Sequence, residues 1–195
     1  MSFDQKTPED ILIYRGVFTV HARAAAAVIQ DCDDEYRCHL DRLLEAPDQH
    51  DGRGLIFIIG ERGRGKTQMA ACLLRDCLTR RKWSVRYTPC GELHMAFRDA
   101  LRQGREIDTL YAWAEQRVLI IDDLHLAAGT DHELRTLTLL VDRRLANGKL
   151  TVFISNNRRE QLAQVVGASI GSRFHEAGLV IEVTGQNYRQ GGGGQ

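Results

Sequence analysis

Gly60-Glu61-Arg62-Gly63-Arg64-Gly65-Lys66-Thr67 fits the spacing G-x-x-x-x-G-K-T. Leu55-Ile56-Phe57-Ile58-Ile59 precede it, and Lys66 to Arg80 follow with helical character. Strand, glycine loop and helix in that order are the context in which this spacing forms a phosphate-binding loop. Outside that context it would be a glycine-rich turn. The glycines allow a tight turn that aims backbone N–H groups at phosphate oxygens. The helix start adds unpaired donors and partial positive charge. Lys66 is placed to reach β- and γ-phosphates, and the Thr67 hydroxyl to ligate Mg²⁺.

The 195 residues suggest one domain large enough to bury a core. Lys+Arg and Asp+Glu are both 26, so any nucleic-acid contact has to come from a local patch. No apolar run is long enough to span a bilayer, and the first residues lack a signal-peptide pattern. The five cysteines form no C-x-x-C pair. They read as reduced thiols of a cytoplasmic protein, without metal-ligand spacing.

Residues 1–50 read as an N-terminal arm and a helical segment, with the arm at Met1–Gly16 and a helix at Thr19–Glu45. Asp31, Asp33, Asp34 and Glu35 mark a solvated face or a break between two helices. Pro47 to Gly54 carry loop signals. Trp83, Val85 and Tyr87 alternate with polar residues, which places that strand at a sheet edge. Gly91–Gln103 is predicted helical, with Leu93, Ala96, Phe97, Ala100 and Leu101 inward, and Ile107–Glu115 forms a shorter helix. Val118-Leu119-Ile120-Ile121 reads as a strand buried on both faces. Asp131 is placed to cap the next helix, which Asn147-Gly148 ends. Leu150–Ile154 is a strand, two short helices are split at Gly167, and Leu179–Val183 is the last strand. Residues 190–195 form a flexible glycine-rich tail. Strands alternating with helices predict a parallel α/β sheet with its ligand at the carboxyl ends of the strands.

Chemistry gathers at those ends. Asp122 follows an apolar strand and is placed to hold Mg²⁺ directly or through water. Asp123, one residue on, is placed to orient an attacking water. Asn156 can hydrogen-bond the γ-phosphate or that water. Taken singly, the two aspartates read as a loop cap and the asparagine as a turn residue.

Through these motifs and others, the chain from about Gly52 to Arg189 resembles AAA+ ATPases of the DnaC/IstB type. That group comprises helicase loaders and transposition helpers. The resemblance is carried by Gly60–Thr67 with Gln68-Met69-Ala70, Ile120-Ile121-Asp122-Asp123-Leu124 and Val141-Asp142-Arg143-Arg144. It continues in Ser155-Asn156, Glu160-Gln161-Leu162, Gly171-Ser172-Arg173-Phe174 and Gly185-Gln186-Asn187-Tyr188-Arg189. It implies a P-loop NTPase three-layer sandwich with strand order 5-1-4-3-2 and no C-terminal helical lid, built on an ATPase core at 51–189. It implies ATP and Mg²⁺ as cofactors. Gly60, Glu61, Arg62, Gly63, Arg64, Gly65, Lys66, Thr67 and Gln68 contact the nucleotide, while Thr67 and Asp122 hold the metal. Asp123, Asn156 as first sensor and Arg173 as an arginine finger for a neighbouring subunit are catalytic, so head-to-tail self-association is expected. Arg189 and Arg143 or Arg144 are further candidates for nucleotide or subunit contact. The segment before the core is short, so a full helicase-docking domain is expected to be missing.

Three functional classes follow. In the first, an ATP-driven factor loads or remodels a helicase or transposase complex on DNA. Its single-stranded DNA would run along Arg98, Arg102 and Arg105, with Phe97 and Tyr111 nearby; the bland reading of those arginines is a solvated helix face. In the second, nucleotide state switches protein docking without DNA contact. The third is a small-molecule kinase, against which Asn156 and Arg173 stand.

Overall fold

The computed structural model describes residues 32–124 and 130–188. The predicted arm, the part of the first predicted helix before Cys32, Arg189 and the tail lie outside the described residues. One sheet contains β1 (Gly54–Ile59), β2 (Val85–Pro89), β3 (Val118–Leu124), β4 (Leu150–Ser155) and β5 (Gly178–Glu182). The order is β2-β3-β4-β1-β5 and every pairing is parallel. Read from the other edge, this is the order 5-1-4-3-2, with β2 outermost as its alternation indicates.

The helices are α1 (Asp34–Gln49), α2 (Lys66–Thr79), α3 (Cys90–Arg102), α4 (Glu106–Ala114), α5 (Asp131–Ala146) and α6 (Leu162–Ala177), with a 3₁₀ turn at Arg159–Gln161. They sandwich the sheet. Ile56, Ile58, Ile120 and Val152 face α1 and α2. Leu55, Phe57, Ile121 and Phe153 face α3 to α6. This double coverage explains why β1 and β4 are buried at every position, since each apolar side chain so covered stabilises by about 1.5–3 kcal/mol. Phe57 and Phe153 are register partners and stack with centroids 4.9 Å apart.

Several local expectations are revised. Asp33 caps α1, its carboxylate accepting from the Tyr36 N–H at 2.7 Å, so the acidic cluster marks a helix start, which agrees with the expected break and not with a continuous solvated face. The helix then runs through Pro47 to Gln49, into the expected loop. Proline has no N–H for the Leu43 carbonyl, and the Arg81 guanidinium donates to the adjacent Leu44 carbonyl at 3.1 Å. Thr130, not Asp131, caps α5: its hydroxyl accepts from the Glu133 N–H, and the Glu133 carboxylate accepts from the Thr130 N–H. Leu101 is 48% exposed. Leu93, Phe97 and Ala100 occupy the inward stripe, and Leu101 lies about 100° further round. The break in α6 falls at Gly167, as expected, where φ is 81° and ψ 157°.

Arg144 is the largest revision. It is fully buried and does not reach the surface. Its Nη1 donates to the carbonyls of Trp113, Ala114 and Gln116 at 3.2, 3.2 and 2.8 Å. Nη2 donates to the Leu150 carbonyl at 2.5 Å, and Nε to the Thr151 hydroxyl at 2.8 Å. The cation thereby satisfies carbonyls left open at the end of α4 and ties them to the start of β4. It is a structural hub, not a nucleotide or subunit contact. Arg143, by contrast, lies over the Tyr111 ring at 3.8 Å. Arg144→Met is therefore expected to cost at least about 3 kcal/mol, because it leaves buried carbonyls without donors. Arg143→Met should cost less than about 1 kcal/mol. Urea unfolding midpoints of the two variants check the contrast, and equal losses would contradict it.

Candidate functional site

Gly60 to Gly65 turn from β1 into α2, which begins at Lys66. Gly60 has φ 141°, and a Cβ there would lie 2.2 Å from the Val183 carbonyl oxygen. The close approach arises because Val183 extends the β5 pairing, its N–H donating to the Ile59 carbonyl at 2.8 Å. Lys66 is 6% exposed, not in open solvent as a loop residue would suggest. Its ammonium donates to the carbonyls of Gly60 and Glu61, both at 2.7 Å, and so closes the loop around the charge. Arg64 donates to the Glu61 carboxylate at 2.6 Å, and Arg62 is exposed.

The Thr67 hydroxyl donates to Asp122 Oδ2 at 2.9 Å. Asp122 ends the apolar run of β3 and is 5% exposed. Tyr87 donates to the same oxygen at 2.5 Å, and the Asp123 N–H to Oδ1 at 2.7 Å. Burial pushes the Asp122 carboxyl above its ordinary range, and the donors from Tyr87, Asp123 and Thr67 oppose that shift. Asp123 is exposed, with φ 55°, at an irregularity in the β3–β4 register. Such bulges re-aim side chains. Ser155 donates to the Leu124 carbonyl at 2.7 Å and accepts from the Asn157 N–H at 3.1 Å, which sets the turn that carries Asn156. Asn156, Gly60, Glu61 and Arg64 line one cavity of about 540 Å³. Loop, carboxylate and asparagine thus meet at the carboxyl ends of β1, β3 and β4.

Arg173 sits apart from this cluster on α6. It donates to the Asp142 carboxylate at 3.0 Å and to the Ser169 carbonyl at 3.1 Å. Its side chain is 35% exposed.

Sequence reasoning missed the residues that brace the loop. The Tyr36 hydroxyl donates to the Gly65 carbonyl at 3.2 Å and to Gln68 Oε1 at 3.4 Å. The Tyr188 N–H donates to the Gly63 carbonyl at 2.9 Å. The Tyr36 and Tyr188 rings meet edge to face at 5.4 Å. Asp33 accepts from the Gln186 N–H and the Tyr188 hydroxyl at 3.5 and 3.4 Å. The Tyr36 N–H, foremost, holds the Asp33 carboxyl below its usual range. No local pattern couples residues this far apart in sequence.

The arginines on and just after α3 have partners. Phe97 is 3% exposed and packs near Trp113, so it offers no stacking surface. Arg98 donates to Glu133 at 2.7 Å, Arg102 to Asp99 at 3.3 Å, and Arg105 to Gln103. Tyr111 is 43% exposed, with Arg143 over its ring. Among the described residues no helix is long and apolar enough to cross a membrane.

Residues 44–191 match the family described as IstB-like ATP binding protein. The replicative helicase loader DnaC of Escherichia coli K12 is 24% identical over 147 residues, 74% of this chain and 59% of the relative. The chain thus spans about three-fifths of the length of the DnaC relatives it matches. The crystal structure of the DnaC helicase loader superposes with a TM-score of 0.72 at 18% identity, over 85% of this chain and 100% of that one. A replication initiator DnaA bound to AMPPCP and single-stranded DNA superposes with a TM-score of 0.67 at 18% identity, over 83% and 49%. Both confirm the P-loop AAA+ fold.

Gly60→Ala is expected to cost more than about 1 kcal/mol, since the left-handed φ and the Val183 carbonyl both oppose a side chain. Gly91, inside α3 with open space at its Cβ position, is the control. Gly91→Ala should be neutral or stabilising by up to about 1 kcal/mol. Chemical denaturation of both variants reads the difference.

Proposed function

The chain belongs to the IstB-like ATP-binding family, and from that premise we propose a Mg²⁺-dependent ATPase that loads or remodels a replicative helicase or transposase complex on DNA, in the cytoplasm. The observation that carries the reading is the Thr67–Asp122 hydrogen bond, which joins the phosphate loop to the end of β3. A buried carboxylate beside a hydroxyl is a hard oxygen donor set that fits Mg²⁺. Bound there, Mg²⁺ would neutralise charge on the phosphate oxygens.

The chain's own groups divide the remaining work. Backbone N–H groups from Gly60 to Thr67 cradle phosphate, with Gln68 behind them, and the Lys66 ammonium meets the β- and γ-phosphates. Asp123 orients the attacking water. Asn156 hydrogen-bonds the γ-phosphate or that water. Arg173 completes the site of a neighbouring subunit, where its permanent charge stabilises the transferring phosphoryl group. To do so it exchanges Asp142 for phosphate, and a partly exposed pair of this kind holds it by no more than about 1 kcal/mol. The loader named among the relatives supports the helicase class, and the initiator solved with AMPPCP and single-stranded DNA supports nucleotide-dependent work on DNA.

The α3 surface favours a second reading. With Phe97 buried, this face offers no Phe97 ring for base stacking, which fits a nucleotide-controlled switch that docks a partner without touching DNA. ATP turnover measured with and without single-stranded DNA separates the two, because only the first reading expects stimulation that fades as salt rises. No turnover at any protein concentration would remove the ATPase assignment.

Lys66→Ala is expected to abolish ATP binding and to cost about 1–2 kcal/mol, because the loop loses its charged donor. Titration with a fluorescent ATP analogue and thermal unfolding test both parts. Arg173→Ala should cost less than about 1 kcal/mol, bind ATP normally and turn over slowly, because only the transition state uses the arginine. Mixing the two inactive variants should restore part of the turnover, as an intact Arg173 would then face an intact ATP site. Mixed assemblies that stay inactive would exclude the finger.

A further inference from the structure

Asp122 is gripped from a side that the nucleotide motifs do not supply. Tyr87 of β2 donates its hydroxyl to Asp122 Oδ2 at 2.5 Å. Strand register explains the meeting. Tyr87 pairs with Ile120, and side chains two residues apart on a strand share a face. Tyr87 and Asp122 therefore stand on the same face of the sheet, diagonal to one another, under the helix that begins with Lys66 and Thr67. Tyr87 is 8% exposed and belongs to the core on that face. A hydroxyl buried so deeply requires a partner, and here the partner is the carboxylate of a second buried residue, Asp122.

Lone-pair counting shows the aim. A carboxylate has about four acceptor positions. Tyr87 and Thr67 together take those of Oδ2, and the Asp123 N–H takes one of Oδ1. The carboxylate cannot rotate without breaking a contact, and its remaining acceptor position is on Oδ1. The Thr67 proton is committed to Oδ2, so Thr67 Oγ1 presents lone pairs outward. Both leftover acceptors are what a hard cation takes.

We propose that Tyr87 is a positioning residue for the divalent cation of the nucleotide site: by occupying Asp122 Oδ2 it fixes Oδ1 and Thr67 Oγ1 as the acceptors offered to Mg²⁺. The inference rests on the nucleotide reading above. Tyr87 acts through Asp122 and touches neither the cation nor the phosphates. Loss of such a supporting hydrogen bond commonly weakens metal binding by about 10- to 100-fold.

The test uses the full chain and a fluorescent ATP analogue, read by binding and not by turnover. Tyr87→Phe keeps the ring and removes only the hydroxyl, and Tyr87→Leu removes the hydroxyl on a different apolar side chain. Each is checked for folding by circular dichroism and thermal unfolding. Analogue affinity in EDTA should stay within about twofold of the parent, because the loop and Lys66 are untouched. The Mg²⁺ concentration giving half-maximal enhancement of binding should rise at least about tenfold. Adding Tyr87→Phe to Asp122→Asn should move that concentration by less than about twofold, since the tyrosine acts only through the carboxylate. An unchanged Mg²⁺ requirement in folded Tyr87→Phe overturns the proposal. So does a loss of affinity in EDTA equal to that in Mg²⁺, or the unfolding of both variants, either of which makes the tyrosine a general support. A parent chain with no Mg²⁺-dependent analogue binding removes the nucleotide reading itself. A Mg²⁺-dependent parent with an indifferent Tyr87→Phe removes this inference alone.

Discussion

A carboxylate buried at the end of β3 holds three pieces of the chain at one point. Asp122 takes donors from the start of α2, from β2 and from its own next peptide. Taking a carboxylate out of water costs several kcal/mol. Hydrogen bonds to a charged group return about 1.5–3 kcal/mol each. The balance is near neutral for stability, and its product is a defined geometry. The start of α2 and the middle of β2 are thereby tied to the end of β3. An apolar residue at this position would leave the Tyr87 and Thr67 hydroxyls without the acceptor they share.

How much of this the sequence carries depends on how far apart the cooperating residues lie. The five strands are legible because β1 and the start of β3 are continuous apolar runs, while β2 alternates, and these patterns report two covered faces or an edge directly. The break at Gly167 is legible because glycine interrupts a helical pattern. The phosphate loop and Asp122 are legible because each is a local signal at a strand end. Thr130 is misread because two neighbours, Thr130 and Asp131, are both competent caps, and the reciprocal bond from Glu133 selects between them. Arg144 is misread because an arginine in a helix looks like a surface charge. Its burial is decided by carbonyls at the end of α4 and the start of β4, which no helical period encodes.

The same limit governs the arginines of α3. Sequence shows their number and spacing but not their partners. Glu133 completes the capping box of α5 with Thr130 and at the same time accepts from Arg98. One carboxylate therefore fixes a helix start and draws a cation toward it, which a glutamate in the first helical turn does favourably. Arg98 and Arg102 are more than half exposed, so these pairs hold them by no more than about 1 kcal/mol and lower their availability to phosphate only modestly. A basic patch has to be judged from the carboxylates around it, and here those carboxylates come from α3 itself and from α5.

Long-range bracing has a physical reason at the loop. A segment rich in glycine has much conformational entropy to lose on ordering, and its inward N–H groups cannot bond to one another. Order has to be imposed from outside the loop. Lys66 does part of this by donating to the Gly60 and Glu61 carbonyls, but in the proposed nucleotide-bound state it would have to share those same protons with phosphate. The contacts that do not compete with phosphate are those on loop carbonyls from behind: Tyr36 on Gly65 and Tyr188 on Gly63. These come from α1 and from the residues after β5, and Asp33 links the two by accepting from the Tyr188 hydroxyl and the Gln186 N–H. Each such contact takes a loop carbonyl and no loop N–H, so these two tyrosines hold the loop in shape without using its backbone donors. Pre-organisation of this kind lowers the ordering cost at the moment of binding, and it requires chain from both sides of the sheet's strand sequence to arrive at the same loop.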